Sequence, residues 1–331
     1  MSVTITSEQE RFRKYFVIIL ALFSAIMIGV LNFRYDSLSR YPYRDQQSRK
    51  KIKEQLTKEE IEYIIEYSIA PSLFINFIEA DGFNIYHAQD YKRLSEVLWD
   101  KSPQEIVTMV ESTRNDMSTD ELIHYLQSYS FEELDTFLKE GDANSPGTTL
   151  IDNANHLNAY VNVKRTVGTH VPNNLVKVSN NITEEEMYLT EDAHIALNSM
   201  CNAINAQMRQ TQGCGGFAIT KAYVSYEDQE KEFALLGSPK TSYPGHDEHQ
   251  LGLAVDLKVP GIPDAELFKT EPGTWLKENA WRFGFVQTYT EDVKALTNHD
   301  AENGHYRFVG MVLARMLHES GLRFANYSEN Y

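Results

Sequence analysis

Between Tyr15 and Leu31 the chain reads YFVIILALFSAIMIGVL, seventeen consecutive residues without a charge. At ~1.5 Å per residue, a helix of this length is at the short end of what crosses a hydrocarbon core. Arg11, Arg13 and Lys14 precede the run and Arg34 follows it. A helix apolar on every face has no polar side to turn to water, so a membrane span fits better than a buried core helix. No A-x-A-like cleavage site follows, which points to an uncleaved signal-anchor. The mean hydropathy of the whole chain is -0.42. That excludes a polytopic membrane protein and leaves one span, over residues 15–31, to hold the chain in a lipid bilayer.

Charge does not decide which way the span points. Counted over about 15 residues on each side, Arg11, Arg13 and Lys14 balance Arg34, Arg40 and Arg44. Arg49, Lys50, Lys51 and Lys53 then tilt the count towards a cytoplasmic C-terminal part. The chemistry of the C-terminal residues points the other way, to a domain outside the cell.

The 331 residues include 31 Lys and Arg against 47 Asp and Glu, a formal charge of -16. No nucleic-acid partner is expected, because neutralising a phosphate backbone takes clustered Lys and Arg. Two cysteines are too few for a four-cysteine zinc site or a disulfide-built scaffold. Cys201 and Cys214 fit a disulfide in an oxidising compartment or two free thiols.

Along the chain, 1–34 reads as a cytoplasmic tail and transmembrane anchor, and 35–56, polar with Pro42 between tyrosines, as a tether. Helix start signals then recur. Thr57 with Glu60, Ser118 with Glu121 and Ser130 with Glu133 have capping-box spacing; Ser102, Pro103 and Glu105 add a first-turn proline. Ile61, Ile64, Ile65 and Ile69, then Leu122, Tyr125 and Leu126, fall at helical intervals. Residues 57–140 are read as a small all-α spacer domain, and 141–156, opening on GDANSPG, as a linker. Residues 157–331 mix helix and strand. A helix is expected from Thr190 to about residue 210, strands in FAITKAYVSY and LGLAVDLKV, a helix over 272–282, and a strand passing into a last helix over 305–319.

Two segments carry candidate chemistry. In PGHDEHQLGLAVDL, strand alternation puts Leu253, Val255 and Leu257 on a core face and Gly252, Ala254 and Asp256 on the other. A carboxylate beside two minimal side chains leaves room for a metal or a substrate, with His249 just upstream. A strand whose polar end is merely solvated fits the same residues. In ENGHYRFVG, Glu302 lies three before His305 at a turn into a strand. Catalytic zinc sites take three protein ligands of His and Asp type and leave a position for water. His249, Asp256 and His305 could supply such a set, with Glu302 left to accept a proton. There is no H-E-x-x-H, and His246-Asp-Glu-His249 is one residue short of H-x-x-E-H.

These segments resemble the zinc D-alanyl-D-alanine carboxypeptidases of the VanY type, in the peptidase family shared with D-Ala-D-Ala dipeptidases and L,D-carboxypeptidases. The family pattern S-x-H-x-x-G-x-A-x-D followed by E-x-x-H is carried by EHQLGLAVDL and ENGHYRFVG. VPNNLV, AYVSYEDQ, WLKENAWRFGFVQTY and HESGL look similar to its supporting segments, so the resemblance spans about residues 157–328. It implies an α+β domain, a small largely antiparallel sheet flanked by helices, here preceded by the transmembrane helix and the small all-α domain. It implies one zinc ion on His249, Asp256 and His305, Glu302 as general base, and hydrolysis of a terminal peptide bond of peptidoglycan stem peptides. Tyr223, Ser225, Gln229, Asp247 and Arg307 are the implied substrate contacts.

Departures from the pattern concern substrate rather than metal. Val224 stands where the family has arginine, Ala222 where it has glycine, Asp247 where it has serine, and Asn303-Gly304 where it has Pro-Trp. Lys221 or Arg307 would be the replacement cation, but Lys221 has the opposite strand parity to Val224. The altered shell leaves a second reading, a weak or inactive wall-peptide-binding protein that keeps its zinc site. The intact ligand set and Glu302 favour a membrane-anchored zinc metallo-carboxypeptidase. A third reading, a peptidase facing the cytoplasm, rests on the basic residues after the span.

Overall fold

The computed structural model describes residues 7–142, 144–179, 182–183 and 185–330, so residues 1–6 of the expected tail lie outside the described residues. The chain divides into two compact units, Met1–Thr119 and Asp120–Tyr331.

The first unit begins with α1, Ser7–Tyr35. Its stretch Gln9–Leu31 has 23 residues, a mean hydropathy of 2.4 and no burial against the rest of the protein. At ~1.5 Å per residue that stretch is longer than a hydrocarbon core of ~30 Å, so α1 is long and apolar enough to cross a membrane. Then come α2 (Gln46–Gln55), α3 (Lys58–Glu66), α4 (Pro71–Phe74), α5 (Ala88–Val97) and α6 (Pro103–Thr113). Thr57 with Glu60 and Ser102 with Glu105 close capping boxes on α3 and α6. Each cap satisfies N–H groups that a helix start otherwise leaves unpaired, and is worth ~1 kcal/mol. Ile61 and Ile64 turn inward to meet Leu38, Tyr41, Ile52, Phe74 and Ile85 in one core.

That core corrects the reading of 35–56 as a tether. Leu38, Tyr41 and Ile52 are fully buried. Arg49 donates to Asp36 Oδ2 at 2.9 Å and to the Leu38 carbonyl at 2.8 Å. The stretch reads as solvated because it is charged, but its charges pair inside the fold: Lys53 lies 2.8 Å from Asp36 and Lys51 2.5 Å from Glu79.

The second unit opens with α7 (Thr119–Tyr125) and α8 (Phe131–Glu140), the latter started by the Ser130–Glu133 capping box. The sequence assigns both helices to the spacer; they pack instead with the C-terminal residues. The Tyr125 and Tyr129 hydroxyls donate to the carbonyls of Leu150 and Ile151 at 3.2 and 2.9 Å. Ala154 N donates to Ser128 Oγ at 3.0 Å. The boundary therefore falls near residue 119 rather than at the 141–147 loop, because aromatic side chains reach across that loop. The expected linker is also folded, with β1 (Thr149–Leu150) pairing in parallel with β2 (Arg165–Thr166).

An antiparallel hairpin, β3 (Leu175–Lys177) and β4 (Tyr188–Thr190), leads into α9 (Glu191–Met208). Ala193, Leu197, Met200, Cys201 and Ile204 form its buried stripe. A disulfide joins Cys201 to Cys214, tying α9 to the approach of β5 (Ala218–Lys221). After α10 (Tyr226–Leu236) come β6 (Ala254–Lys258), α11 (Glu271–Asn279), β7 (Phe285–Gln287), α12 (Lys294–Thr297), β8 (His305–Phe308) and α13 (Met311–Ser320). The four strands form one sheet in the order β5-β6-β8-β7, antiparallel throughout. Leu253, Val255 and Leu257 are buried, but so are Gly252, Ala254 and Asp256 on the other face, so β6 is covered on both sides. The helix ending at residue 320 is not the last. Gly321 stops it, and α14 (Phe324–Asn330) buries Phe324 against Tyr160, Val309 and Leu317. The architecture is the α+β class that the sequence implies, a small antiparallel sheet flanked by helices.

A cross-link over a 13-residue separation stabilises by about 3 kcal/mol, chiefly by restricting the unfolded chain. Replacing Cys201 and Cys214 by serine is expected to lower the melting temperature of the second unit by ~6–12 °C. Scanning calorimetry of the detergent-solubilised chain measures this; an unchanged transition would show that the bond contributes nothing.

Candidate active site

Cross-strand register assembles the site. Asp256 on β6 lies opposite His305 on β8 and opposite Lys221 on β5. Opposed residues of antiparallel strands present their side chains on one face, so Lys221, Asp256 and His305 form a row across the sheet. His249 comes from the short 3-10 turn Glu248–Leu251 that precedes β6. The turn closes through Gly252 at φ +65, where a Cβ would meet Leu175 at 2.8 Å. The space at Gly252 is thus filled by the β3–β4 hairpin, not by a ligand as the sequence suggests.

One donor atom from each of His249, Asp256 and His305 lies within 4.8 Å of the others, and all three residues are buried. His249 Nε2 and His305 Nδ1 both face Asp256 Oδ1, at 3.2 and 2.9 Å. Two imidazole nitrogens and a carboxylate oxygen converging on one point are a donor set that suits a divalent ion such as zinc. His249 Nδ1 is buried without a hydrogen-bond partner among the described residues. The donors present fit a metal ion.

Glu248, which sequence reasoning passes over, backs this set. Its carboxylate accepts from His305 Nε2 at 3.0 Å, Thr288 Oγ1 at 2.6 Å and Arg307 Nη1 at 3.1 Å. Burial alone would raise its pKa, but the Arg307 guanidinium and His305 outweigh burial and hold it at about 2. Burial works against the charge on His305, yet carboxylates at both ring nitrogens raise its pKa to about 10. Tyr289 stacks between His305 and His299, at centroid distances of 4.3 and 4.0 Å. The available signal for Glu248 is its place between Asp247 and His249, in a segment that enters the core. A buried acid there requires partners.

Glu302 is half-buried at the turn before β8. Its N–H donates to the Tyr289 carbonyl at 3.0 Å, and Gln287 Nε2 donates to its own carbonyl at 3.0 Å. Burial, and then the charge of Asp256, push its carboxyl above the ordinary value, while His305, His299 and His249 oppose the shift. The carboxyl group therefore feels all three members of the donor set. Asp264 accepts from Asn303 N and Gly304 N at 2.8 and 2.9 Å and presses the loop onto β6. A Cβ at Gly304 would lie 2.3 Å from the Leu257 carbonyl oxygen. Gly304 is thus a packing requirement of this loop as well as the loss of an aromatic wall.

The expected substrate contacts divide. Arg307 is fully buried. Besides Glu248, it donates to the carbonyls of Leu157 and Ala159, so its guanidinium is committed to the interior and cannot meet a substrate. Gln229 is also fully buried, donating to Thr241 Oγ1 and the Ser242 carbonyl, both at 2.8 Å. Ser225 caps α10 by accepting from Asp228 N at 3.2 Å. Asp247 is buried and accepts from His249 N at 2.7 Å. Burial opposes its ionisation, but Lys221 and His249 hold its pKa below the ordinary value. Tyr223 stays half-buried, its N–H on the Tyr188 carbonyl at 2.9 Å. His246 faces away from the set and joins the Asn162 carbonyl at 2.5 Å to Asp142 Oδ2 at 2.9 Å.

Lys221 is the last residue of β5, so strand parity does not run on to Val224. The β5–β6 register shifts between Ile219 and Lys221. The pairing beyond this shift sets Lys221 opposite Asp256, in the row of the site. Its Nζ lies 2.7 Å from Glu232 Oε2 and 4.0 Å from Asp247 Oδ2.

The sheet and the His–Asp–His set on its face define an α+β domain with a candidate metal centre. A model of the VanY family, D-alanyl-D-alanine carboxypeptidase, matches residues 186–311. That match makes residues 186–311 a domain of the VanY type. The carboxypeptidase-like protein YodJ of Bacillus subtilis (strain 168) is 29% identical over 199 residues, which cover 55% of this chain and 71% of YodJ. A D-alanyl-D-alanine carboxypeptidase of Enterococcus faecalis (strain ATCC 700802 / V583) is 42% identical over 84 residues, 25% of this chain but 30% of that enzyme. Among solved structures, the LdcB LD-carboxypeptidase is similar with a TM-score of 0.49 at 27% identity, covering 56% of this chain and 91% of that one. A mutant vancomycin-resistance D,D-pentapeptidase VanY in complex with Zn(II) has a TM-score of 0.41 at 26% identity, covering 51% and 97%.

Because Glu248 ionises more easily in the fold than in the unfolded chain, where its pKa is about 4.3, it contributes stability above that pH. The contribution is lost as pH falls towards about 2. Unfolding free energy followed by denaturant titration should fall over this window in the parent chain. Glu248→Gln should be less stable at neutral pH and show a shallower fall; parallel curves would reject the assignment.

Proposed function

We propose that this chain is a membrane-anchored, zinc-dependent peptidase that hydrolyses a terminal peptide bond of peptidoglycan stem peptides, in the manner of a D,D-carboxypeptidase. The observation that carries the reading is the buried convergence of His249, Asp256 and His305 with Glu302 beside them. Membership of the VanY-type family and relatives that are D-alanyl-D-alanine carboxypeptidases support it.

In this reading His249, Asp256 and His305 hold one zinc ion, which supplies a Lewis acid to polarise a scissile carbonyl and acidify water. Glu248 keeps the Nε2 proton of His305, so Nδ1 presents its lone pair to the site. Glu302 accepts the proton of the attacking water and passes it to the leaving amine. Its raised pKa suits both transfers, since a carboxylate closer to neutrality in basicity takes up a proton more readily than one at an ordinary value. Burial of the donor set keeps bulk water from competing with the substrate carbonyl.

The span over residues 15–31 anchors the chain, and the parts beyond it lie outside the cell. The Cys201–Cys214 disulfide supports an oxidising compartment. The basic residues after the span have partners in the folded first unit, Arg49 and Lys53 on Asp36 and Lys51 on Glu79. Protease treatment of intact cells tests the orientation: a C-terminal part that resists digestion would place it in the cytoplasm. The wall-binding reading draws on Asp247 and Val224. It predicts sacculus binding that survives Glu302→Gln with no product formed by the parent protein.

Glu302→Gln is expected to retain zinc and lose turnover of stem peptides by ~10²–10⁴-fold. Bound metal and released amino acid are measured on the same preparation, and unchanged turnover would remove Glu302 from the role of base. Metal uptake must displace the proton between His305 Nδ1 and Asp256. With the His305 pKa raised to about 10, zinc affinity is expected to rise with pH through neutrality. Calorimetric titration in buffers of different ionisation enthalpy reads the proton release directly. Glu248→Gln should weaken zinc binding by ~10–100-fold.

A further inference from the structure

A peptidase that removes a terminal residue must accept a free carboxylate close to its catalytic groups. Acidic groups crowd the donor set: Asp247 is buried with its Oδ1 on His249 N at 2.7 Å, and Asp256 faces both histidines. With Asp256 given to the metal, a substrate carboxylate placed beside Asp247 would still need a cation of its own. Arg307 offers no relief, because it is fully buried and committed to Glu248 and two carbonyls. Val224 brings no charge.

Lys221 differs from both. The bulge in β5 puts it opposite Asp256 and in the row that ends at His305. Its side chain is 19% exposed, so it is largely desolvated yet still reachable. A lysine ammonium has three donors. One carboxylate, Glu232, lies within hydrogen-bonding distance at 2.7 Å, while Asp247 at 4.0 Å attracts the charge without taking a proton. Donors therefore remain for a ligand. Glu232 itself is 30% exposed on α10 and can yield its place to a second carboxylate. Asp247 stays as a fixed counter-charge that holds the ammonium beside the site.

We infer that Lys221 is the specificity-determining residue that reads the terminal carboxylate of the substrate, with Glu232 as the internal carboxylate it exchanges for that ligand. The inference rests on the peptidase reading of the same site. It makes the enzyme selective for peptides ending in a free carboxylate over peptides whose end is amidated or extended by a neutral group.

The test is equilibrium binding to the full, zinc-loaded chain in detergent, carrying Glu302→Gln to suppress turnover. The probes are N-acetyl-D-alanyl-D-alanine and its C-terminal amide. The carboxylate should bind at least ~10-fold more tightly than the amide. Lys221→Met should abolish the preference and Lys221→Arg should keep most of it. Glu232→Gln should tighten carboxylate binding several-fold and leave the amide unchanged, which a purely structural lysine would not do. This last variant decides the matter if Lys221→Met fails to hold zinc. A preference that survives Lys221→Met, no preference in the Glu302→Gln parent, or equal weakening of both probes by Glu232→Gln would overturn the inference. Turnover by the unmodified enzyme is assayed in parallel. Turnover without dependence on Lys221 rejects this inference alone, whereas a Lys221-dependent preference without any turnover rejects the hydrolase reading alone.

Discussion

The site is arranged around a charge that performs no chemistry in it. Glu248 is buried, and an uncompensated carboxylate there would cost several kcal/mol. Its partners come from different parts of the sheet: His305 and Arg307 from β8, Thr288 just beyond β7. Arg307 in turn clamps the carbonyls of Leu157 and Ala159, about 150 residues earlier in the chain. None of these groups can be satisfied until the strands have paired. Forming the sheet and orienting His305 are consequently one event, and the donor set is rigid because its backing is electrostatically indispensable.

Much of this is legible in the sequence. LGLAVDLKV gives the strand β6, though not that both its faces are buried, and the spacing of Thr57 with Glu60 and of Ser102 with Glu105 gives two helix starts to the residue. His249, Asp256 and His305 stand out by residue type and position, and the structure brings them together. What stays hidden depends on partners remote in sequence. Arg307 and Gln229 pass for substrate contacts because polarity is visible and burial is not. Strand parity argues against Lys221, but the strand ends at that residue and the argument does not reach Val224. The 35–56 stretch reads as a tether because its ion pairs to Asp36 and Glu79 cannot be seen in a string of charges.

Two departures from the VanY-type pattern, Asp247 and Gly304, have physical counterparts in the structure. The carboxylate of Asp247 caps the turn that carries His249, a task a serine hydroxyl could also perform, but it adds a negative charge. Lys221 approaches and offsets that charge. Gly304 fits a loop that Asp264 draws against the Leu257 carbonyl, where no side chain has room. Here an added anion is matched by a cation, and a missing side chain by a closer backbone.

The reach of Tyr125 and Tyr129 across the 141–147 loop bears on how this protein breaks. That loop, with its glycines and proline, invites a protease, but a cut there would not liberate a finished domain. Tyr129 lies against His170, whose Nδ1 is 3.0 Å from the Ser128 carbonyl, and Thr169 donates to Glu133 at 2.9 Å. A second unit nicked there would stay folded, its two pieces separating only under denaturing conditions. A fragment that begins at the loop would expose the surface these residues cover. The smallest piece able to carry the site in soluble form starts near residue 120, some twenty residues before the loop that looks like its natural edge.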